Sequence, residues 1–249
     1  MNQVNQINLK TITKNLICKH KFKKGRNSTG KITMRHRGGG HKHLYRKINF
    51  KYFKKELTGK ILTIEYDPNR NANICLVHLQ NNEYKYFLYA AGNKIGNIIK
   101  YNYKKFDPIN PIMGSTFPLI CLPLGTQIHN IEFIPNKGGQ IARAAGTMAK
   151  LITKTYKTAI LKLPSGKIKN LSLKCFATLG QIANIKQKKI FKKAGEKRWL
   201  GKRPSVRGLA MNPIDHPHGG GEGKTSIGRK HPLTPWGYPV FGKKKKKKI

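Results

Sequence analysis

The sequence predicts a mainly β protein: two small barrels in tandem, flanked by two long basic arms of irregular structure. Three observations predict it. Short runs of branched and aromatic residues recur at roughly 8–12-residue spacing with turn residues between them, the pattern of small antiparallel barrels. The chain's 51 Lys and Arg against 9 Asp and Glu, a net charge of +42, are unevenly placed. Residues 1–55 hold 16 basic residues and no acid, residues 56–185 hold 16 and 6, and residues 186–249 hold 19 and 3. Finally, the ends carry glycine triplets and prolines, which disfavour regular helix and central strand.

In chain order, the first strand set is Lys60–Tyr66, Asn73–Leu79 and Tyr84–Tyr89, separated by Asp67-Pro68-Asn69 and Gln80-Asn81-Asn82. The second set is Thr126–Ile134, Thr158–Leu163 and Lys167–Leu173, and Pro164-Ser165-Gly166 suits the hairpin turn between its last two members. Pro108–Pro123, punctuated by Pro, Gly and Met, reads as the linker between the sets. Helix is scarce: Ala144–Lys150 is the best candidate and reads equally well as strand. With 38% apolar residues the middle of the chain can bury a core.

Several classes are disfavoured. The longest apolar stretch, Phe117–Leu124, contains two prolines and falls well short of the ~20 residues that cross a bilayer. Met1–Gln6 has no apolar run of a signal peptide and is poor in the Arg and Ser of a transit peptide. Cys18, Cys75, Cys121 and Cys175 form no CxxC pair, so neither a zinc site nor a disulfide frame is indicated, and a reducing compartment is expected. The charge excess calls for a polyanion. Nucleic acid is favoured over a membrane surface, which would also want a broad apolar helix face.

Three motifs carry the binding chemistry. In the first, Arg35, Arg37, Lys42 and Arg46 offer phosphate contacts, His36, His41 and His43 offer stacking planes, and Gly38, Gly39 and Gly40 permit close backbone approach to RNA. A solvated basic loop and a His metal site are the alternatives. The second runs from Arg198 to Lys224: Arg198, Trp199, Lys202, Arg203 and Arg207 lead into Asp215, His216 and His218, with Arg229 beyond. An RNA-binding loop is one reading. A general base at His216, adjacent to Asp215, is the other, although no nucleophile is placed beside it. The third, Asn136–Thr147, sets Lys137 and Arg143 among small residues, which serve RNA contact and close protein packing alike. Arg70, in the turn after the first strand, joins the basic candidates.

RHRGGGHKHLYRKINF, IEYDPNRNANICLVHL, GTQIHNIE, KGGQIARAAGT, LKLPSGKIK, RWLGKRPSVRG and MNPIDHPHGGGEGK occur in this order. From about Gly25 to Gly242 the chain resembles the second protein of the large ribosomal subunit, a universal family, in its bacterial and organellar form. The resemblance implies a basic N-terminal extension (1–56), an OB-fold barrel (57–123), an SH3-like barrel (124–197) and a C-terminal extension threading rRNA (198–249). It implies a structural constituent that binds large-subunit rRNA early in assembly and contacts other large-subunit proteins. It further implies support of subunit association across the bridge to the small subunit, of tRNA binding indirectly, and of the peptidyl transferase centre, near Asp215, His216 and His218. Catalysis would belong to RNA, no membrane is involved, and no cofactor is expected beyond magnesium held by the rRNA. The residues before Gly25, the bare Lys243–Lys248 run and the loop Ala90–Asn93 depart from the family pattern. DPNRNANICLVH and SIGRKHPLTPWGYP look plastid-like, and heavy use of Lys, Asn and Ile suits an AT-rich organelle genome; a mitochondrion is the alternative.

Overall fold

A computed structural model describes residues 13–20, 24–53, 55–101, 111–185, 190–223 and 225–240. The chain divides into two units: unit one is residues 1–21 with 42–190, and unit two is residues 22–41 with 191–249.

Unit one is mainly β, with a helical turn at residues 13–16 and a 3-10 turn at Leu119–Cys121. Its first strands, β1 (Ile17–Lys19) and β2 (Leu44–Arg46), pair antiparallel. A four-stranded antiparallel sheet follows, from β3 (Leu57–Glu65), β4 (Ile74–Leu79), β5 (Tyr84–Leu88) and β6 (Ile98–Tyr101), in the order β5-β4-β3-β6. The apolar run Ile74–Val77 of β4 follows from its place inside the sheet, where both faces are covered. Cys75, Val77 and Leu79 pack with Ile61, Ile99 and Tyr101, while Ile74 and Leu76 pack with Tyr86 on the other side. Gly59 is required where β3 meets β4, since a Cβ there would sit 2.6 Å from Val77 Cγ1. The expected turn at Gln80–Asn82 forms, with Asn82 in the left-handed region at φ +59°.

The second sheet has six strands: β7 (Thr116–Pro118), β8 (Gln127–His129), β11 (Ala149–Lys154), β12 (Thr158–Lys162), β13 (Ile168–Ser172) and β14 (Phe176–Leu179). Their order is β13-β12-β11-β8-β14-β7. β9 (Ile131–Glu132) and β10 (Gly139–Ile141) pair beside it. The chain is mainly β, and an OB-like sheet followed by an SH3-like one is consistent with this order; among the described residues neither sheet closes into a hydrogen-bonded ring.

Three readings of the sequence need correction here. Residues 108–110 lie outside the described residues, but the remainder of the expected linker is structural. Phe117, Leu119 and Leu122 enter the second core with Ile128, Leu151 and Leu161, and Leu119 N–H donates to Cys175 O at 2.9 Å. Prolines suggested a linker, yet Pro118 ends edge strand β7, where a missing N–H costs little. Ala144–Lys150 holds no helix. Left-handed residues at Ala142 and Gly146 break the helical path, Thr147 caps the turn through Oγ1 to Ala144 O at 2.7 Å, and the chain enters β11 at Ala149. Thr126–Ile134 splits into two strands at Asn130, where φ is +49°.

Within unit one the sheets are fastened to each other. Ala91 N–H donates to Gln181 O at 2.8 Å, Ala183 N–H to Tyr89 O at 3.0 Å, and Ala72, Leu88 and Ile182 share an apolar cluster with Phe50.

Unit two is irregular, with one short helix, α1 (Ala194–Trp199), a 3-10 turn at Gly208–Ala210, and isolated bridges Arg26 to Ile32, Arg37 to Lys202 and Leu233 to Pro239. No helix among the described residues is long and apolar enough to cross a membrane.

Candidate nucleic-acid interface

Unit two brings residues 36–41 of the first motif together with residues 199–204 of the second. Gly38 N–H donates to Gly201 O and His41 N–H to Trp199 O, both at 3.0 Å, and Arg203 N–H donates to His36 O at 3.2 Å. The His36 Nδ1 lies 2.9 Å from Pro204 O, and the His41 ring meets Trp199 edge-on at 5.9 Å. One of the three glycines has a reason within the protein itself. A Cβ on Gly40 would come within 2.8 Å of Gly201 N, so this glycine allows protein backbone to approach protein backbone. Gly38 and Gly39 have φ of +120° and +71°, where L side chains are strained. Two segments with little to bury individually satisfy each other's backbone groups.

Pairing the loops through their backbones leaves the side chains outside. Arg37, Arg198, Lys202, Arg203 and Arg207 are exposed, and Arg35 is half-buried. Arg35, Arg37 and Arg203 border two open clefts of about 610 and 810 Å³. Ile32, Met34, Val206 and Met211 give the smaller cleft an apolar wall that the sequence reading missed. Among the described residues both ion pairs, Asp67–Arg70 and Glu83–Lys85, lie in unit one. Among the described residues Arg35, Arg37, Arg198, Lys202, Arg203 and Arg207 form no ion pair, which leaves their charges to an outside anion.

The His216 loop is built around its own rings. His218 N–H donates to His216 Nδ1 at 3.0 Å, and Leu233 N–H donates to His218 Nε2 at 2.9 Å. Each acceptance requires an unprotonated nitrogen, so His216 carries its proton on Nε2 and His218 on Nδ1. Burial, then the neighbouring His218 and Arg35, lower the His216 pKa and favour the neutral ring. His216 is buried against Gly208, where a Cβ would lie 2.4 Å from the ring, and Gly219 is as tightly fitted against Asn212 O. Asp215 is exposed, and among the described residues no hydrogen bond joins its carboxylate to either histidine. Arg229 Nε donates to Pro217 O at 3.2 Å, which holds that cation beside the loop; Lys224 lies outside the described residues.

A second basic patch forms in unit one. The guanidinium of Arg143 lies 4.6 Å, and that of Arg70 5.8 Å, from the centre of the Phe50 ring, so two candidates 73 positions apart share one aromatic platform. Arg70 is fixed through Nε to the fully buried Asp67 at 2.7 Å. The Asn136–Gly139 loop is shaped by a residue that sequence reasoning missed, Glu132. Its buried carboxylate accepts the N–H of Gly138 at 2.9 Å, of Phe176 at 3.0 Å and of Asn136 at 3.3 Å. Gly138 and Gly139 abut Phe50 O and the Asn130 side chain, so close protein packing accounts for these small residues while Lys137 points outward. Lys42 is exposed and His43 half-buried, but Arg46 is drawn inward, its Nε buried without a hydrogen-bond partner among the described residues and its charge acting on the Tyr86 hydroxyl. Among the described residues no group of three or more His, Cys, Asp or Glu is placed to hold a metal ion.

Exposed arginines beside open clefts in unit two, and a second basic patch on the β unit, are the marks of a protein that binds nucleic acid. Residues 13–100 match the model of the RNA-binding N-terminal domain of ribosomal proteins L2, and residues 112–237 match that of the C-terminal domain. The chain is 57% identical over 226 residues to the large ribosomal subunit protein uL2cz/uL2cy of Ranunculus macranthus, covering 90% of this chain and 81% of the relative. It is 55% identical over 237 residues to uL2c of Ipomoea purpurea (94% and 85%) and 56% over 230 residues to uL2c of Calycanthus floridus var. glaucus (92% and 83%). The chain belongs to the ribosomal protein L2 family.

Proposed function

We propose that this chain is a structural, non-catalytic protein of the large ribosomal subunit of a plastid, binding large-subunit rRNA through its two arms and the Phe50 patch. The observation that carries this reading is the pairing of residues 36–41 with 199–204, which consumes backbone groups and leaves Arg37, Lys202 and Arg203 facing outward. The names of the relatives support the ribosome and the plastid. Contacts with neighbouring large-subunit proteins, support of tRNA binding and association with the small subunit extend the same reading. Magnesium enters with the bound RNA, and the protein needs no cofactor of its own.

His216 acts here by shaping the loop near the peptidyl transferase centre. Its Nδ1 lone pair already accepts the His218 N–H, which supports an architectural role over that of a base. His216→Gln ribosomes should show assembly or tRNA-binding defects with near-normal bond formation; a loss of about 10²–10⁴-fold in chemistry with normal assembly would favour the base.

The decisive measurement is salt dependence. Binding to a large-subunit rRNA transcript should weaken by about 10³-fold or more between roughly 50 and 200 mM salt if six or more phosphates are neutralised. A flat response would remove the electrostatic basis of the proposal.

A further inference from the structure

We propose that the hairpin Pro232–Val240 is a base-stacking platform that grips unpaired nucleotides with Trp236 and Tyr238. This rests on the rRNA-binding reading above and adds an aromatic stacking contact to the phosphate contacts of the charged residues.

The hairpin is rigid for its size. Thr234 N–H donates to Tyr238 O at 2.7 Å and Gly237 N–H to Thr234 O at 2.9 Å, enclosing the three-residue loop Pro235-Trp236-Gly237. Proline suits the first turn position, and Gly237, at φ +82°, takes the left-handed one. Val240 N–H closes the ladder on Pro232 O at 2.9 Å, and Thr234 Oγ1 accepts the Tyr238 N–H at 3.1 Å. At the base of the hairpin Leu233 N–H rests on His218 Nε2, so the device is anchored to the His216 loop.

This frame does not serve to bury its aromatics. Trp236 is 61% and Tyr238 70% exposed, on a loop held in shape by its own hydrogen bonds. The chemistry around them selects the occupant. From Gly223 to Ile249 the sequence has nine Lys and Arg and no acid. Exposed rings within a cationic segment match a polyanion that also presents flat π faces, as unpaired nucleotides do. Base pairs in a duplex hide those faces.

The test compares the full chain with Trp236→Ala on a single-stranded oligoadenylate of about 12 nucleotides and on an RNA duplex of equal length. Trp236→Ala should weaken single-strand binding about 10-fold and duplex binding by less than about 2-fold, with the salt slope unchanged because no phosphate contact is lost. Trp236→Phe, which keeps a ring, should restore most of the loss, and Tyr238→Ala should reproduce part of it. Equal losses on both RNAs, an intact single-strand affinity, or a Trp236 dependence found only on phosphatidylserine vesicles would each overturn the platform. Wild-type chain that binds neither RNA would instead bring down the rRNA reading itself, and the platform with it.

Discussion

Unit one and unit two solve opposite problems with the same twenty side chains. Unit one buries Ile61, Leu76, Leu151 and Leu161 completely, and even its acids work inward: Asp67 and Glu132 are wholly buried and hold backbone N–H groups. Among its described residues unit two buries almost no large side chain. Its order comes from backbone hydrogen bonds, tightly fitted glycines and two histidine rings used as acceptors. A region that spends apolar area on itself gains independent stability; a region that spends only backbone groups keeps its cations for a partner. Damage to unit one should therefore appear in folding, and damage to unit two in binding.

The largest expected effect lies in the core of unit one. Leu161→Ala should cost about 2–5 kcal/mol, read as a shift of the denaturant midpoint. If the melt barely moved, β12 would not be the central support that its burial indicates. Next comes a pH effect at His129, whose ring is 1% exposed and lies with Nδ1 2.9 Å from Gly180 O. Burial lowers its pKa to about 4, against about 6.5 unfolded. Between those values the unfolded chain binds more protons, so stability falls as the pH drops through the window, by up to about 3 kcal/mol, and this contribution is flat above pH 7. His129→Gln should remove that part of the pH dependence when both proteins are unfolded at pH 7 and 4.5.

Gly40→Ala carries the comparison into unit two. The added Cβ meets Gly201 N at 2.8 Å, which should part residues 36–41 from 199–204. Amide exchange at Gly38 and His41 should quicken and rRNA affinity fall about 10-fold, while the melting of unit one stays put. A loss of unit-one stability instead would show that the arms support the sheets.

Legibility in the sequence follows the same division. Strands such as Asn73–Leu79 and Lys167–Leu173 could be read because branched residues and turn chemistry are local signals. The burial of Phe117, Leu119 and Leu122 could not, since prolines at 118 and 123 mimic a linker and the strand's partner, Phe176–Leu179, is almost 60 positions away. The cations of the arms were legible as charge, but their scaffold was not. Nothing local says that Gly40 faces Gly201, that Arg70 and Arg143 meet over Phe50, or that Glu132 ties down the Asn136–Gly139 loop. Trp236 and Tyr238 left a signal that could have been used, the Pro-Trp-Gly turn between prolines 232 and 239.

The smallest effect is also the most selective. Arg203 is exposed on the paired loop and, among the described residues, is held by hydrogen bond only through its backbone, its N–H on His36 O, so removing its guanidinium breaks no hydrogen bond or ion pair there. Arg203→Ala should leave the melting curve unchanged and the Gly38 amide protected. Its effect should appear as a uniform weakening across RNA sequences, with the slope of log affinity against log salt reduced by about 1, the loss of one phosphate contact. An unchanged slope would mean that Arg203 faces solvent in the complex. A sequence-dependent loss would mean that it reads a base, and the division between a folding unit and a charge-presenting unit would then be too simple at this position.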